Sequence, residues 1–184
     1  METEIASEHV EHITDDIFFV AASPIMHKLR AQAELLAQVN APLLIVGERG
    51  SGKETVARLI HKLSVRSGFR FLKVNCAALP GDLLEGELFG YERGAFAGAM
   101  RTKAGKFELC EKGTILLDNI TEMPPSLQAK LLHVLHEKQY FRVGSGTRVD
   151  ADVRIMAATD SNLEQALAAR KLREDLYYGV SAFM

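Results

Sequence analysis

Cysteine is scarce and never clustered: Cys76 and Cys110 stand alone in no CxxC arrangement, which leaves no disulfide framework and no cysteine zinc site. That usage fits a reducing cytoplasm. There is no cationic apolar leader and no apolar run long enough to cross a bilayer, so nothing points to a membrane. Lys and Arg form no block, and a net charge of −2 gives no basic footprint for gripping nucleic acid directly. Of six histidines only His133 and His136 lie close together on a predicted helix, without a third ligand. A solvated helix face explains them better than a metal. No period of about 20 to 50 residues repeats.

What remains is enough for one sizeable domain: 184 residues, 47% hydrophobic and 25% charged. The chain is organised around Leu43 to Leu63, LLIVGERGSGKETVARLIHKL. Leu43 to Val46 has the length of a buried strand, and Val56, Leu59, Ile60 and Leu63 recur as one helical stripe. Between them Gly47-Glu48-Arg49-Gly50-Ser51-Gly52-Lys53-Glu54 matches a phosphate-cradling P-loop except at its last position. Glycines let successive N–H groups turn inward, the helix start adds positive potential, and Lys53 carries a full charge to outer phosphates. A P-loop usually closes on Ser or Thr for Mg²⁺, a role the Glu54 carboxylate can take. A bare capping box, Ser51 to Glu54, accounts for two residues but not for the glycines and Lys53.

Before this core, Met1 to Asp16 carries six acidic residues and no Lys or Arg, which predicts a mobile tail, with the domain proper starting near Val20. Ser23-Pro24 starts a helix that Asn40 and Pro42 stop. Phe71 to Cys76 reads as a strand and Leu83 to Phe89 as a short helix. Gly90 to Ala99, GYERGAFAGA, is too poor in large side chains to supply core. Thr114 to Leu117 is a strand ending on Asp118 and Asn119, and Pro124-Pro125 opens a helix striped by Leu127, Leu131, Val134 and Leu135. Tyr140 to Val143 and Arg148 to Asp150 flank a glycine turn as a hairpin. Val153 to Ala158 is a last strand, and Ser161 with Glu164 forms a capping box for the next helix.

Short apolar strands alternating with amphipathic helices predict an α/β fold, a parallel sheet with helices on both faces. Ligands in such folds sit at the carboxyl ends of strands, where Gly47, Asn75, Asp118 and Thr159 would gather. A buried strand ending in Asp118 is suited to deliver a carboxylate to phosphate-bound Mg²⁺.

GERGSGKE, ELFGYERGAFAGA (Glu87 to Ala99), GTILLDN (Gly113 to Asn119), FRVGS (Phe141 to Ser145) and LREDLYY (Leu172 to Tyr178) resemble, in order, the AAA+ domain of sigma-54-dependent transcriptional activators. The resemblance runs from about Val20 to Met184. It implies a P-loop NTPase core that binds ATP or ADP with Mg²⁺, forms rings, usually hexamers, and acts on sigma-54 RNA polymerase. Gly47 to Glu54 would bind the phosphates, with Val20 and Ala21 near the adenine. Asp118, with Glu54, would hold Mg²⁺, and Asn75 would hold the catalytic Glu of the family. Arg173 would reach a neighbouring subunit's γ-phosphate. The loop Gly94, Ala95, Phe96, Ala97, Gly98 and Ala99 would touch the sigma factor through Phe96. The resemblance implies that Met184 falls just before the family's helical lid, and that the family's DNA-binding and receiver domains would lie outside residues 20 to 184.

Three positions depart from the family pattern. Asn119 stands where the strand normally ends Asp-Glu, Ala97 where the loop has Thr, and Gly179 where a second finger arginine is usual. An amide positions water but accepts no proton. Two readings result: an ATP-driven remodelling domain with impaired hydrolysis, or a non-hydrolysing binding module that senses nucleotide or antagonises an intact relative.

Overall fold

The computed structural model describes residues 10–181. Strands β1 (Val10–Thr14) and β2 (Ile17–Val20) open it as an antiparallel pair, Val10 opposite Val20. This corrects the expectation of a mobile tail as far as Asp16; Met1 to His9 lie outside the described residues. The acidic charge does not keep the segment in solution because distant cations offset it. Arg30 meets Glu11 at 3.2 Å, Lys62 donates to the His12 carbonyl, and Phe19 anchors the pair in the core.

The chain continues through α1 (Pro24–Ala37), β3 (Leu43–Val46), α2 (Lys53–Lys62), β4 (Phe71–Asn75) and α3 (Gly81–Phe89). Next comes a two-residue ribbon, β5 (Gly90–Tyr91) with β6 (Lys103–Ala104), then α4 (Lys106–Leu109), β7 (Thr114–Asp118) and α5 (Pro125–Glu137). The hairpin β8 (Gln139–Phe141) and β9 (Arg148–Asp150), then β10 (Arg154–Thr159), α6 (Leu163–Ala168) and α7 (Glu174–Val180) complete it. The start of α1 is the predicted one: the Ser23 hydroxyl accepts from Met26 N–H, with Pro24 at the first turn. For α6 the cap is Asn162, whose side chain accepts from Gln165 N–H, and not Ser161. The Ser161 hydroxyl is instead engaged with that of Thr121 at 3.0 Å.

β3, β10, β7 and β4 form one sheet in that order, all parallel. Side chains alternate between its faces. Leu43, Leu116, Met156 and Ala158 pack with α1 and α2, while Leu44, Ile115, Leu117, Ile155 and Ala157 pack with α3, α5 and α7. Ile115, Leu116 and Leu117 are fully buried, so truncating one to Ala costs about 2–5 kcal/mol. In the central strands β7 and β10, covered on both faces, charge is confined to the ends. At the amino end, the buried Arg154 guanidinium donates to the Leu36 carbonyl at 2.7 Å and ties the end of α1 to the sheet.

His61, on α2, is buried between the Thr114 hydroxyl (2.9 Å) and the Phe69 carbonyl (3.2 Å). Burial lowers its pKa, opposed by the Phe69 bond and reinforced by Arg154, Arg58 and Arg66. The unfolded chain therefore takes up a proton that the folded chain refuses, and stability falls as pH drops through the ordinary histidine range. His61→Gln is expected to lose less stability than wild type between about pH 7.5 and about pH 5.5, read from urea-unfolding midpoints.

Candidate functional site

Gly47 comes directly after β3, and its N–H donates to the Thr159 carbonyl at the end of β10 (3.2 Å). Asn75, ending β4, sits opposite Asp118, ending β7. The four polar positions expected at one edge are thus brought together. The loop after Gly47 turns into α2 at Gly52, which has φ +86° and no side-chain cap. Only glycine takes that conformation without strain. Ser51 gives no cap there, so the capping-box reading fails. Lys53 Nζ folds over the loop, donating to the carbonyls of Gly47 and Glu48 at 2.8 Å each.

This loop forms one wall of a cleft of about 640 Å³, with Lys73, Asn75, Asp118 and Asn119 opposite. A cleft of that volume suits a small-molecule ligand. Glu54 gives one carboxylate oxygen to Arg58 (2.8 Å) and the other to Lys73 (2.8 Å). Lys73 also meets Asp118 at 3.1 Å. Burial opposes ionisation of Glu54, yet the hydrogen bonds from Lys73 and Arg58 outweigh it and hold the carboxyl below its usual range. The bond to Glu54 first, with that to Asp118, outweighs burial and raises the Lys73 pKa. Two carboxylates thus converge on one cation, a hard-oxygen donor set that fits Mg²⁺.

Next to them lie two amides. Asn119, in the left-handed region at φ +54°, donates from Nδ2 to Asn75 Oδ1 (3.1 Å), which also accepts from Ala77 N–H (3.0 Å). Asn119 N–H itself donates to Asp118 Oδ1 (3.1 Å). Glu122 and Asp160 are the other carboxylates lining the cleft, and Glu122 stands 4.0 Å from Lys171.

The fold agrees with comparison to known proteins. The family model described as the Sigma-54 interaction domain matches residues 19–184. The chain belongs to the sigma-54 interaction domain family. It is 48% identical over 164 residues to the formate hydrogenlyase transcriptional activator of Salmonella typhimurium strain SL1344, covering 89% of this chain and 24% of that protein. It is 49% identical over 162 residues to the Nif-specific regulatory protein of Bradyrhizobium diazoefficiens, covering 88% and 28%. The chain spans about a quarter of the length of these relatives. NtrX from Brucella abortus, solved in complex with ATP, superposes with a TM-score of 0.81 at 36% identity, covering 99% of this chain and 38% of that one.

Elsewhere in this sigma-54 interaction domain the expected site residues are dispersed. Val20 is half-exposed and Ala21 is buried in the core with Phe19; neither lines the cleft. Arg173 borders a different cleft with Arg170 and Tyr178, and its guanidinium is held by both oxygens of Asp175 at 3.0 and 2.7 Å. Gly179 faces α5, where an added Cβ would stand 3.1 Å from Leu132 Cδ1.

Phe96 is 43% exposed and rests edge-on against Tyr91, centroids 4.9 Å apart. Its loop is closed by Gly94 N–H donating to the Ala99 carbonyl (2.8 Å), and Ala99 is buried after all. The base is clamped to the segment after β8. Glu92 N–H donates to the Val143 carbonyl, Val143 N–H donates to the Gly90 carbonyl, and Arg142 holds both Glu92 (2.8 Å) and Glu108 (2.7 Å).

Two contributors escaped the motif reading. Lys73 reads as an ordinary outward lysine on a strand. Gln128 is buried on α5; its Oε1 accepts from Arg173 N–H (2.8 Å) and its Nε2 donates to the carbonyls of Met123 and Lys171. No spacing rule marks either, because each acts across elements distant in sequence.

Gly144 has φ +76°, and a Cβ there would lie 2.7 Å from Ala95 Cβ. Gly144→Ala is expected to cost about 1–3 kcal/mol and to dislodge the Gly94 to Ala99 loop. Amide exchange should quicken at residues 92 to 99 before it changes in the sheet.

Proposed function

We propose that this domain binds ATP or ADP with Mg²⁺ in the cleft beside Lys53, engages sigma-54 through Phe96, and hydrolyses nucleotide poorly. Gly47 to Glu54 bind the phosphates, and Lys53 leaves the loop carbonyls to neutralise them. The solved complexes of NtrX with ATP and with ADP support the nucleotide class. Asp118 and Glu54 would hold Mg²⁺, which supplies positive charge to the phosphoryl oxygens. Arg173 acts in trans, released from Asp175 toward a neighbouring subunit in a ring of copies, a hexamer by family. The domain makes no direct DNA contact of its own.

The observation that carries the low turnover is the amide pair. Asn119 occupies the strand-end position from which a carboxylate would take a proton from attacking water, and it is tied to Asn75. Losing a general base costs about 10² to 10⁴ in rate. Binding needs none of that chemistry, so affinity and turnover separate. Wild type is expected to take up a non-hydrolysable ATP analogue, and Lys53→Ala to weaken uptake about tenfold or more, equivalent to about 1.4 kcal/mol. Turnover by wild type is expected below about one per minute, with Asn119→Glu faster. Rapid hydrolysis by wild type would overturn this reading.

A second reading, a non-hydrolysing module that antagonises intact relatives, is favoured by Ala97 and Gly179 departing as well. The loop separates the two. Phe96→Ala is expected to weaken capture of purified sigma-54 at least about tenfold, as for a buried aromatic anchor, and Ala97→Thr to strengthen it. Capture indifferent to both substitutions would count against the loop contact.

A further inference from the structure

Lys73 is placed where the nucleotide reading puts a metal. It rises from β4, beside β7, on the same strand face as Asn75, and its ammonium bridges Glu54 (2.8 Å) and Asp118 (3.1 Å). Arg58 occupies the remaining oxygen of Glu54. Glu54, Asp118, Lys73 and Arg58 therefore sum to zero charge. A divalent ion entering alone must displace the ammonium and adds two charges to a balanced group. With a polyphosphate the incoming anion compensates both.

We propose that Lys73 is a resident counter-ion of the metal-side carboxylates, excluding free divalent cations so that metal enters only as its nucleotide complex. The inference rests on the nucleotide reading of the cleft. Lys73 is a positioning residue: it acts on the metal through Glu54 and Asp118. Removing its charge leaves the group one unit negative and frees one oxygen on each carboxylate, Glu54 Oε2 and Asp118 Oδ2, which favours a bare divalent ion at close range.

The test is Mn²⁺ titration without nucleotide, monitored by loss of the free-ion paramagnetic resonance signal, on the whole chain. Lys73→Met and Lys73→Gln are expected to bind Mn²⁺ at least about tenfold tighter than wild type, and Lys73→Arg, which keeps the positive charge, to stay as weak as wild type. Two neutral variants guard against one failing to fold, which circular dichroism reports. Equal Mn²⁺ affinity in wild type and the folded neutral variant overturns the proposal, as does tight Mn²⁺ binding by Lys73→Arg. A parallel titration with Mn²⁺ and ADP keeps the two ideas apart. Failure of wild type to take up ADP refutes the nucleotide reading, whereas uptake of ADP with equal Mn²⁺ affinities refutes only the counter-ion role.

Discussion

A strand buried on both faces can carry charge only at its end, and that constraint shapes this domain. Ile115, Leu116 and Leu117 leave β7 no place for a polar group until Asp118. The parallel register then brings the carboxyl ends of neighbouring strands level: Asn75 beside Asp118, and Gly47 bonded to Thr159. The cleft is a product of that alignment, and the phosphate loop is one wall of it. Had the sheet been antiparallel, these ends would have scattered over two edges.

Most of this was legible in the chain itself. Four-residue apolar runs, a helix stripe at Val56, Leu59 and Ile60, and the Ser23-Pro24 start each name their element, because each signal is local. The Gly-rich loop and the Asp118 strand end announce a site for the same reason. The features that escaped depend on partners far along the chain. The β1–β2 pair forms because Arg30 and Lys62 offset an acidic segment, and a local count of charge cannot see them. Lys73 and Gln128 gain their roles only when β4 meets α2 and when α5 meets the loop before α7. The cap of α6 fell one residue from the expected place, since Asn162 outcompetes a Ser161 already bonded to Thr121.

Two kinds of group meet at the cleft. The first is charges in close pairs, Glu54 with Arg58 and Lys73, and Lys73 with Asp118. The second, beside Asp118, is the neutral amides Asn75 and Asn119, joined by one bond from Asn119 Nδ2 to Asn75 Oδ1. The second is indifferent to pH across the range in which carboxylates and histidines titrate, so proton transfer gains nothing from it.

The stem beneath Phe96 is joined to its surroundings at both edges. β5 pairs with β6 on one side and bonds to Val143 on the other, while Arg142 locks Glu92 and Glu108 together. A tensile load on the aromatic tip is therefore shared in parallel by several backbone bonds and two ion pairs, and does not peel one ribbon open bond by bond. Mechanically the loop is a short, stiff cantilever whose anchorage lies between α4 and the β8–β9 hairpin. Displacement at the tip must be accompanied by strain in that anchorage, far along the chain from the residues that move.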